Sequence, residues 1–324
     1  MKTEFNLIRP ACDFAGVIST DASVHILGGR METANKKLIV SQPVDGLPDM
    51  TVAAVDLDFV LRKMPDVESV KVNKTFATLN PSTGSSTRIK LMPDGKPYKK
   101  PDIETTDIVD IAGLLNGIDE VLPFSVGDPT RPWSEGARFD GTKITATNST
   151  MLIQANMAES CGLDGITISR EALQYIAQRG DALKAWGVSE RGILLEYHDG
   201  GWALVARMSM EMPDNAVTMI NGINDWSDMQ EVDDEYRAAL EFTSDFAEKA
   251  VEIHADKIFG ARYSSEHDEP ATTNLGDVDK AVFDPKNLVL VARVANEIGF
   301  DRYPNPVPFT TPGGSKGLIA GLIE

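Results

Sequence analysis

The stretch that decides the fold is GARFDGTKITATNSTMLIQ, residues 136–154. Two short strand-like runs flank Asp140-Gly141, a dipeptide that favours tight hairpin turns. A second turn is predicted at Asn148-Ser149, ahead of another apolar run. Together these signals predict a meander of three antiparallel strands.

The bulk composition is that of a globular protein. The chain has 324 residues, enough for two or three domains, with 42% hydrophobic and 25% charged residues. It shows neither an apolar run long enough for a bilayer nor a basic-then-apolar leader, so we expect a cytoplasmic protein with no membrane partner. Its two cysteines, Cys12 and Cys161, are too few for a disulfide framework and fit a reducing compartment.

The net charge of −18 weighs against nucleic-acid binding when it is taken as a sum, because phosphate contacts need Lys and Arg. Binding depends on where charges sit, and an acidic outer surface can coexist with a basic inner one. Acidity by itself more often only keeps a protein soluble.

Three candidate helices begin after an N-cap residue and indicate a repeat. Asp56 precedes LDFVLRKM, Ser169 precedes REALQYIAQ, and Asp284 precedes PKNLVLVARVANEI with Pro285 at the first helical position. These caps are 113 and 115 residues apart. Near-equal spacing of similar helices indicates an internal structural repeat.

Each repeat is predicted to hold a second, earlier helix, at residues 7–19, 108–122 and 244–258. Short alternating stretches separate the two helices and also follow the second one. The predicted fold class is therefore α+β, with three repeated domains of two helices plus antiparallel strands. Clusters of Pro, Gly and polar residues place the domains at 1–102, 103–216 and 217–324.

Basic residues occur on the polar face of the capped helix in all three repeats. Arg62 and Lys63 lie off the apolar stripe of the first helix, Arg170 opens the second, and Lys286 and Arg293 share one face of the third. A solvated face is the common explanation for such charges. Their recurrence in an acidic chain favours a shared role.

The chain resembles the processivity sliding clamps of DNA replication, the bacterial β type in particular, in a divergent viral form. The loop TRPWSEGARF, with its Arg and aromatic residues, is similar to the segment before the family's first meander. ATNSTML, residues 146–152, stands where the family has a turn like ATDGHRL. MPDNAV is similar to the family's link between its last two domains, and GLIAGLIE to its apolar C-terminal segment.

The resemblance implies a non-catalytic ring that needs no cofactor. In that family the domains form a pseudo-six-fold circle, closed by a head-to-tail homodimer, with helices lining a hole for duplex DNA. The ring tethers a DNA polymerase and is opened by a clamp-loader ATPase, in the bacterial cytoplasm or that of an infected host. The alternative is a viral structural or assembly protein that uses the same repeats without binding DNA.

A DNA-facing wall is predicted from the basic residues and one aromatic residue. Helix 108–122 carries Asp110, Asp119 and Glu120 but no base, so the neighbouring loop has to supply positive charge there. Its Trp133 is expected either to stack on a base or sugar or to fold back over the meander. The predicted DNA-binding residues are Arg9, Arg30, Arg62, Lys63, Arg131, Trp133, Arg170, Arg179, Lys249, Lys286 and Arg293.

A peptide-binding groove between the second and third domains is implied by the resemblance. The turn Asn148-Ser149-Thr150-Met151 replaces a charged, His-containing turn, so peptide specificity should differ from that of the family. The residues that match the groove by position are Thr147, Leu152, Pro213, Val217, Leu318, Ile319, Leu322 and Ile323.

Enzyme motifs are weak throughout the sequence. None of the four histidines is four residues from another, and there is no G-x-S-x-G elbow. EHDE, residues 266–269, is more readily a solvated loop than a cation site, and GGSKG, residues 313–317, lacks the spacing of a phosphate loop. We therefore predict no catalytic residue, no metal and no cofactor.

Overall fold

The computed structural model describes residues 1–12, 23–64, 66–93, 95–128, 130–190, 192–208, 210–223, 226, 229–247, 250–254, 257–261, 271–272 and 281–322. The chain forms two compact units. The first unit comprises Met1–Ile111 and Glu171–Met208, and the second comprises Ala112–Arg170 and Ser209–Glu324. None of the helices in the described ranges is long and apolar enough to cross a membrane.

Across the described residues, the order helix, four strands, helix, three strands occurs three times. The first series is α1 (Lys2–Ile8), β1 (Ser23–Leu27), β2 (Arg30–Ala34), β3 (Leu38–Pro43), β4 (Met50–Ala53), α2 (Ala54–Lys63), β5 (Val67–Val72), β6 (Phe76–Pro81) and β7 (Thr87–Lys90). After the short strand β8 (Thr106–Asp107), the second is α3 (Ile111–Val121), β9 (Gly136–Asp140), β10 (Lys143–Thr147), β11 (Met151–Asn156), β12 (Asp164–Ser169), α4 (Arg170–Arg179), β13 (Leu183–Ser189), β14 (Gly192–Tyr197) and β15 (Trp202–Ala206). After α5 (Asp214–Thr218) and β16 (Gln230–Glu231), the third is α6 (Asp234–Phe246), β17 (Ala250–His254), β18 (Lys257–Ala261), β19 (Ala271–Thr272), β20 (Ala281–Phe283), α7 (Pro285–Val294), β21 (Glu297–Ile298), β22 (Val307–Thr310) and β23 (Lys316–Ile319).

In the described ranges, each unit contains one eight-stranded antiparallel sheet and one smaller sheet. In the first unit the large sheet has the order β4-β1-β2-β3-β15-β14-β13-β8, and β5-β6-β7 form the small sheet. In the second unit the large sheet has the order β12-β9-β10-β11-β23-β22-β21-β16, and β19-β18-β17-β20 form the small sheet. The predicted α+β class with antiparallel strands is confirmed.

Both large sheets combine strands from two of the predicted repeats. In the first, β3 pairs with β15, and in the second, β11 pairs with β23. The two compact units therefore divide the chain inside the second predicted domain, residues 103–216. The borders 1–102, 103–216 and 217–324 stay a prediction about the sequence repeat.

The meander at residues 136–156 is confirmed as β9, β10 and β11. Gly141 adopts a φ of +64° in the first turn, a conformation that glycine reaches without steric cost. Ser149 has a φ of +80° in the second turn, where the Asn148 side chain accepts hydrogen bonds from the amides of Thr150 and Met151 at 3.1 and 2.8 Å. Asn in this role stabilises a turn by mimicking the backbone.

The predicted helix starts are confirmed in two repeats and wrong in one. The Asp284 side chain caps α7 by accepting from the Asn287 amide at 3.0 Å, and Pro285 occupies the first turn. Helix α4 begins directly after Ser169. Helix α2 begins at Ala54, as soon as β4 ends, so Asp56 lies within its first turn and does not cap it.

The earlier helices differ more from the prediction. Helix α3 confirms the one expected at 108–122, with a later start. Helix α1 ends at Ile8, and residues 13–19 of the segment predicted as helix 7–19 lie outside the described part. The helix predicted at 244–258 is wrong: α6 ends at Phe246 and β17 follows. Buried Val251 and Ile253 flank half-buried Glu252 there, and this two-residue period is typical of a strand.

Glu120, on the acidic helix α3, holds the hairpin between β22 and β23. Its carboxylate accepts from the Thr311 hydroxyl at 3.0 Å and from the Ser315 hydroxyl, and both hydroxyl residues are buried. A Cβ on Gly313 would lie 1.9 Å from Glu120 Oε1, so the backbone approaches the carboxylate closely. The glycine-rich GGSKG stretch is thus a structural hairpin tip.

We expect Glu120→Ala to lower the free energy of unfolding by about 1–3 kcal/mol, because it leaves two buried hydroxyls without their acceptor. Urea unfolding measures the change. Asp119→Ala is the matched control, since Asp119 is the exposed carboxylate of the same turn. Equal stability of the two variants would contradict the assignment.

Candidate functional site

An apolar groove of about 310 Å³ lies in the second unit, beside the turn between β10 and β11 and the end of β23. Its walls come from the loop before β9, from that turn, from the start of α5 and from the residue before β22. Its lining residues are Arg131, Trp133, Thr147, Ser149, Thr150, Met151, Leu152, Pro213, Asn215, Ala216, Met219, Pro306, Leu318 and Ala320.

The floor of the groove is a product of strand pairing. Leu152 on β11 lies directly opposite Leu318 on β23. The two side chains pack with Ile220 into a small buried cluster, against which Ile223 and Trp226 also pack. The Trp226 ring covers the ammonium of Lys316 at 4.8 Å and donates from its indole nitrogen to the Ile223 carbonyl at 3.0 Å. The apolar floor therefore packs against side chains from the segment that follows α5.

The turn that forms one wall is tied to α7. The side-chain amide of Asn148 donates from Nδ2 to Asn287 Oδ1 at 3.2 Å. The side-chain amide of Asn287 donates from its own Nδ2 to the Thr150 hydroxyl at 2.8 Å. The backbone of Thr150 also accepts from the Ala320 amide at 2.7 Å. This wall is thereby fixed at three points.

The loop that carries Arg131 and Trp133 is internally bonded. The Arg131 amide donates to the Asp128 carbonyl at 2.8 Å, and the Asp128 amide donates to the Ser134 hydroxyl at 2.9 Å. Hydrogen bonds from Thr130 hold the pKa of Asp128 below its usual range, with a smaller contribution from Arg131. Arg131 is exposed and Trp133 is half-buried, and both side chains line the groove.

The predicted groove residues divide into two groups. Those that the structure brings together in the lining are Thr147, Leu152, Pro213 and Leu318. Among those outside the lining, Val217 is half-buried, Ile319 is buried within β23, and Leu322 hydrogen-bonds through its amide to Val282. Ile323 lies outside the described residues. The predicted turn 148–151 contributes Ser149, Thr150 and Met151 to the lining. Sequence reasoning missed Asn215, Ala216, Met219, Pro306 and Ala320, whose positions depend on strand register and on the path of the connector.

Several predicted DNA-facing cations are engaged in ion pairs at the protein surface. Arg9 donates to Asp58 at 2.8 Å, and Arg62 binds the other carboxylate oxygen. Arg293 pairs with Glu241 at 3.0 Å. Lys63 and Lys286 are exposed and form no ion pair within the described residues, and Lys249 lies outside them.

Three other predicted cations are held by hydrogen bonds to neighbouring backbone or side-chain groups, and one of them is buried. Arg170 donates to the carbonyls of Leu122 and Ser125 at 2.6 and 3.2 Å. Arg30 binds the Ser41 hydroxyl at 2.6 Å. The Arg179 side chain is 1% exposed, pairs with Asp199 at 2.8 Å and lies over the Tyr197 ring, a placement that disagrees with a DNA-facing role. Burial of this kind serves structure, because the guanidinium cannot reach a phosphate outside.

A second cavity, of about 440 Å³, lies in the first unit. Its cations are largely engaged: Lys100 pairs with Glu196, and Arg30 donates to the Gly200 carbonyl at 3.2 Å as well as to Ser41. Within the described residues no group of three or more His, Cys, Asp or Glu side chains is placed to hold a metal ion, and EHDE lies outside them. The groove in the second unit is therefore the stronger candidate.

The fold is that of the bacterial β sliding clamps. The Caulobacter crescentus β sliding clamp superposes with a TM-score of 0.79 at 15% identity, covering 100% of this chain and 96% of that one. The DNA polymerase III β subunits of Pseudomonas aeruginosa and Thermotoga maritima both give a TM-score of 0.77, at 12% and 15% identity, covering 100% of this chain and 97% of each of theirs. No protein-family profile and no curated protein sequence matches the chain. The resemblance indicated by the sequence is confirmed at the level of the fold.

Asp58 carries a pH-dependent part of the stability. Burial alone raises the pKa of Asp58, but the hydrogen bonds from Arg9 and Arg62 outweigh burial and leave this pKa below its usual range. A carboxyl whose folded pKa is lowered stabilises the protein above its unfolded pKa of about 3.9, and the contribution is lost as pH falls through the lower value.

We expect Asp58→Asn to lower the free energy of unfolding by about 1 kcal/mol at neutral pH, a modest loss because Arg9 and Arg62 are solvent-accessible. The difference in free energy of unfolding between the variant and the wild type should become smaller as the pH falls below about 4. Urea unfolding across a pH series measures it. Exposed Asp56→Asn on the same helix is the control, and a pH-independent gap for Asp58→Asn would refute the assignment.

Proposed function

We propose that the protein is a DNA sliding clamp, which encircles duplex DNA, tethers a DNA polymerase for processive synthesis and performs no catalysis itself. The observation that carries the proposal is the likeness of the whole chain to bacterial β sliding clamps, including β subunits of DNA polymerase III. Such a protein works where a bacterial chromosome or a phage genome is copied, in the cytoplasm.

The distribution of charge supports this function. A sliding protein needs attraction to phosphates without readout of base edges, so it needs Lys and Arg and no inserted recognition element. Lys63 on α2 and Lys286 on α7 occur near opposite ends of equivalent helices and are exposed without ion pairs in the described part. The net charge of −18 would keep DNA from adhering elsewhere.

The groove in the second unit supports a tethering role. The groove is apolar, and its floor is formed by Leu152 and Leu318, which are already packed together. Arg131 and Trp133 also line it. Short peptides with apolar anchors bind in grooves of this kind, and aromatic and Arg side chains contribute most of the energy at such sites. We assign Arg131 and Trp133 primarily to the peptide groove. They contact DNA only if the bound duplex extends to the edge of that groove.

The assembly that this function requires is a closed ring. Three repeats in each chain fit a head-to-tail homodimer, because two such chains supply six repeats. Opening of that ring requires a clamp-loader ATPase. Tethering then acts through effective concentration, since a polymerase held beside its primer rebinds before it diffuses away.

We expect Lys63→Gln combined with Lys286→Gln to reduce the salt dependence of DNA binding. Removing one lysine–phosphate interaction should change the slope of log K against log salt by about 0.9, so the slope of the double variant should be shallower by nearly two. Titrations with duplex DNA at several salt concentrations measure this slope, and retention on nicked circular DNA after loading measures the consequence.

Lys71→Gln, an exposed lysine on β5, is the control for this experiment. Light scattering checks that the double variant and Lys71→Gln keep the mass of the wild type, which is expected to be twice that of one 35.2 kDa chain. An unchanged slope in the double variant would show that Lys63 and Lys286 do not interact with DNA phosphates. A wild-type protein that stays monomeric and is not retained on circular DNA would overturn the clamp itself.

We expect Met219→Glu to weaken peptide binding by at least about tenfold, because it places a charge in an apolar groove without touching the core. The probe is a labelled peptide selected from a random library for binding to the wild type alone, and its affinity for the variant is then measured. Met210→Glu is matched in residue type and exposure, 50% against 52%, and lies outside the groove. Failure of Met219→Glu to reduce processive synthesis on primed circular DNA would argue against the groove as the tether.

A further inference from the structure

One wall of the groove is a connector rather than a strand of the sheet. The connector, residues 211–216, comprises the three residues before α5 and the first three residues of that helix, and Pro213, Asn215 and Ala216 line the groove. Pro213 and Asn215 are exposed, and no strand ladder includes them. Such a wall keeps its shape only if side chains hold it against the sheet.

Arg138 on β9 contacts the connector at two points. Its Nη1 donates to the Met212 carbonyl at 2.7 Å and to Asp214 Oδ1 at 2.6 Å, so it grips the connector on both sides of Pro213. Its Nε donates to Asp140 Oδ1 at 3.0 Å, which anchors the guanidinium to its own strand. The Arg138 side chain is only 16% exposed, whereas that of Asp214 is 86% exposed.

The first residues of the connector are tied to β12 as well. The Thr167 amide donates to Glu211 Oε2 at 2.6 Å, and the Met212 amide donates to the Thr167 hydroxyl at 3.1 Å. Both of these bonds hold the connector before Pro213. Arg138 extends the attachment past Pro213, because its bond to Asp214 joins the start of α5 to the sheet.

We infer that Arg138 is a positioning residue for the groove, which holds the connector in its peptide-binding shape before a partner arrives. The inference rests on the proposed function of the groove. A wall ordered in advance spares the partner the entropy of ordering it, so more of the contact energy is expressed as affinity. Arg138 does not line the groove, so its effect on binding must pass through the connector.

The geometry also explains why this position carries arginine. The guanidinium reaches Asp140 through Nε and the connector through Nη1, two directions fixed by its planar fork. A lysine ammonium is a compact charge and can satisfy one of these sites at a time. We therefore expect Arg138→Lys to keep part of the function and Arg138→Met to lose it.

The test uses the full-length protein and the labelled peptide selected above. Arg138→Met should weaken peptide binding by about tenfold, mainly through faster dissociation, and Arg138→Lys by less. Asp214→Asn should also weaken it, and the Arg138→Met, Asp214→Asn double variant should bind no worse than Arg138→Met alone, because the two residues act through one contact.

Hydrogen exchange and two further variants separate this role from a general loss of stability. Hydrogen exchange in residues 212–218 should rise in Arg138→Met and return toward the wild-type level when peptide is bound. Lys143→Met is the control, since Lys143 on β10 reaches the same region through a 3.5 Å contact with Asn221 and should leave binding unchanged. If Arg138→Met does not fold, Asp214→Asn still tests the contact, because it removes an exposed carboxylate.

The outcomes distinguish the two levels of the proposal. Wild-type affinity in both Arg138→Met and Asp214→Asn, with binding abolished in Met219→Glu, would overturn the positioning role and leave the groove intact. A library that yields no peptide sensitive to Met219→Glu would overturn the groove as a peptide site, whatever Arg138 does.

Discussion

Pairing between strands that are far apart in the sequence is the constraint on which each unit depends. In the first unit β3 pairs with β15, and in the second β11 pairs with β23. Without these ladders, each eight-stranded sheet would divide into two four-stranded halves with unsatisfied edges, which are prone to aggregate. The second ladder also creates the candidate site, because it sets Leu152 opposite Leu318 and so builds the groove floor.

The parts of the fold that could be predicted are those encoded by local chemistry. Asp140-Gly141 and Asn148-Ser149 specify turns whatever surrounds them, since glycine reaches positive φ freely and the Asn side chain bonds to the amides that follow. Asp284 and Pro285 specify the start of α7 for the same reason. The three-fold recurrence of helices followed from such local signals, and four residues of the groove lining followed from the resemblance.

The parts that could not be predicted depend on partners distant in sequence. Arg179 looked like a surface charge on a polar face, but Asp199, twenty residues later, draws it into the interior against Tyr197. Helix α2 begins without a polar cap because β4 feeds directly into it. The connector wall of the groove could not be predicted either. Nothing in MPDNAV indicates that its backbone is bound by Arg138, which lies more than seventy residues earlier.

Under the proposed function, the pairing of cations with carboxylates bears on how the protein would slide along DNA. Arg9 and Arg62 share Asp58, and Arg293 binds Glu241, so a DNA phosphate would compete with a carboxylate that is already in place. Such exchange yields less free energy for each contact than a bare cation would. A protein that must find and grip DNA from outside is poorly served by weak contacts. A protein that encircles its duplex is retained by topology, and weak, exchangeable contacts then lower the barrier to movement from one phosphate to the next.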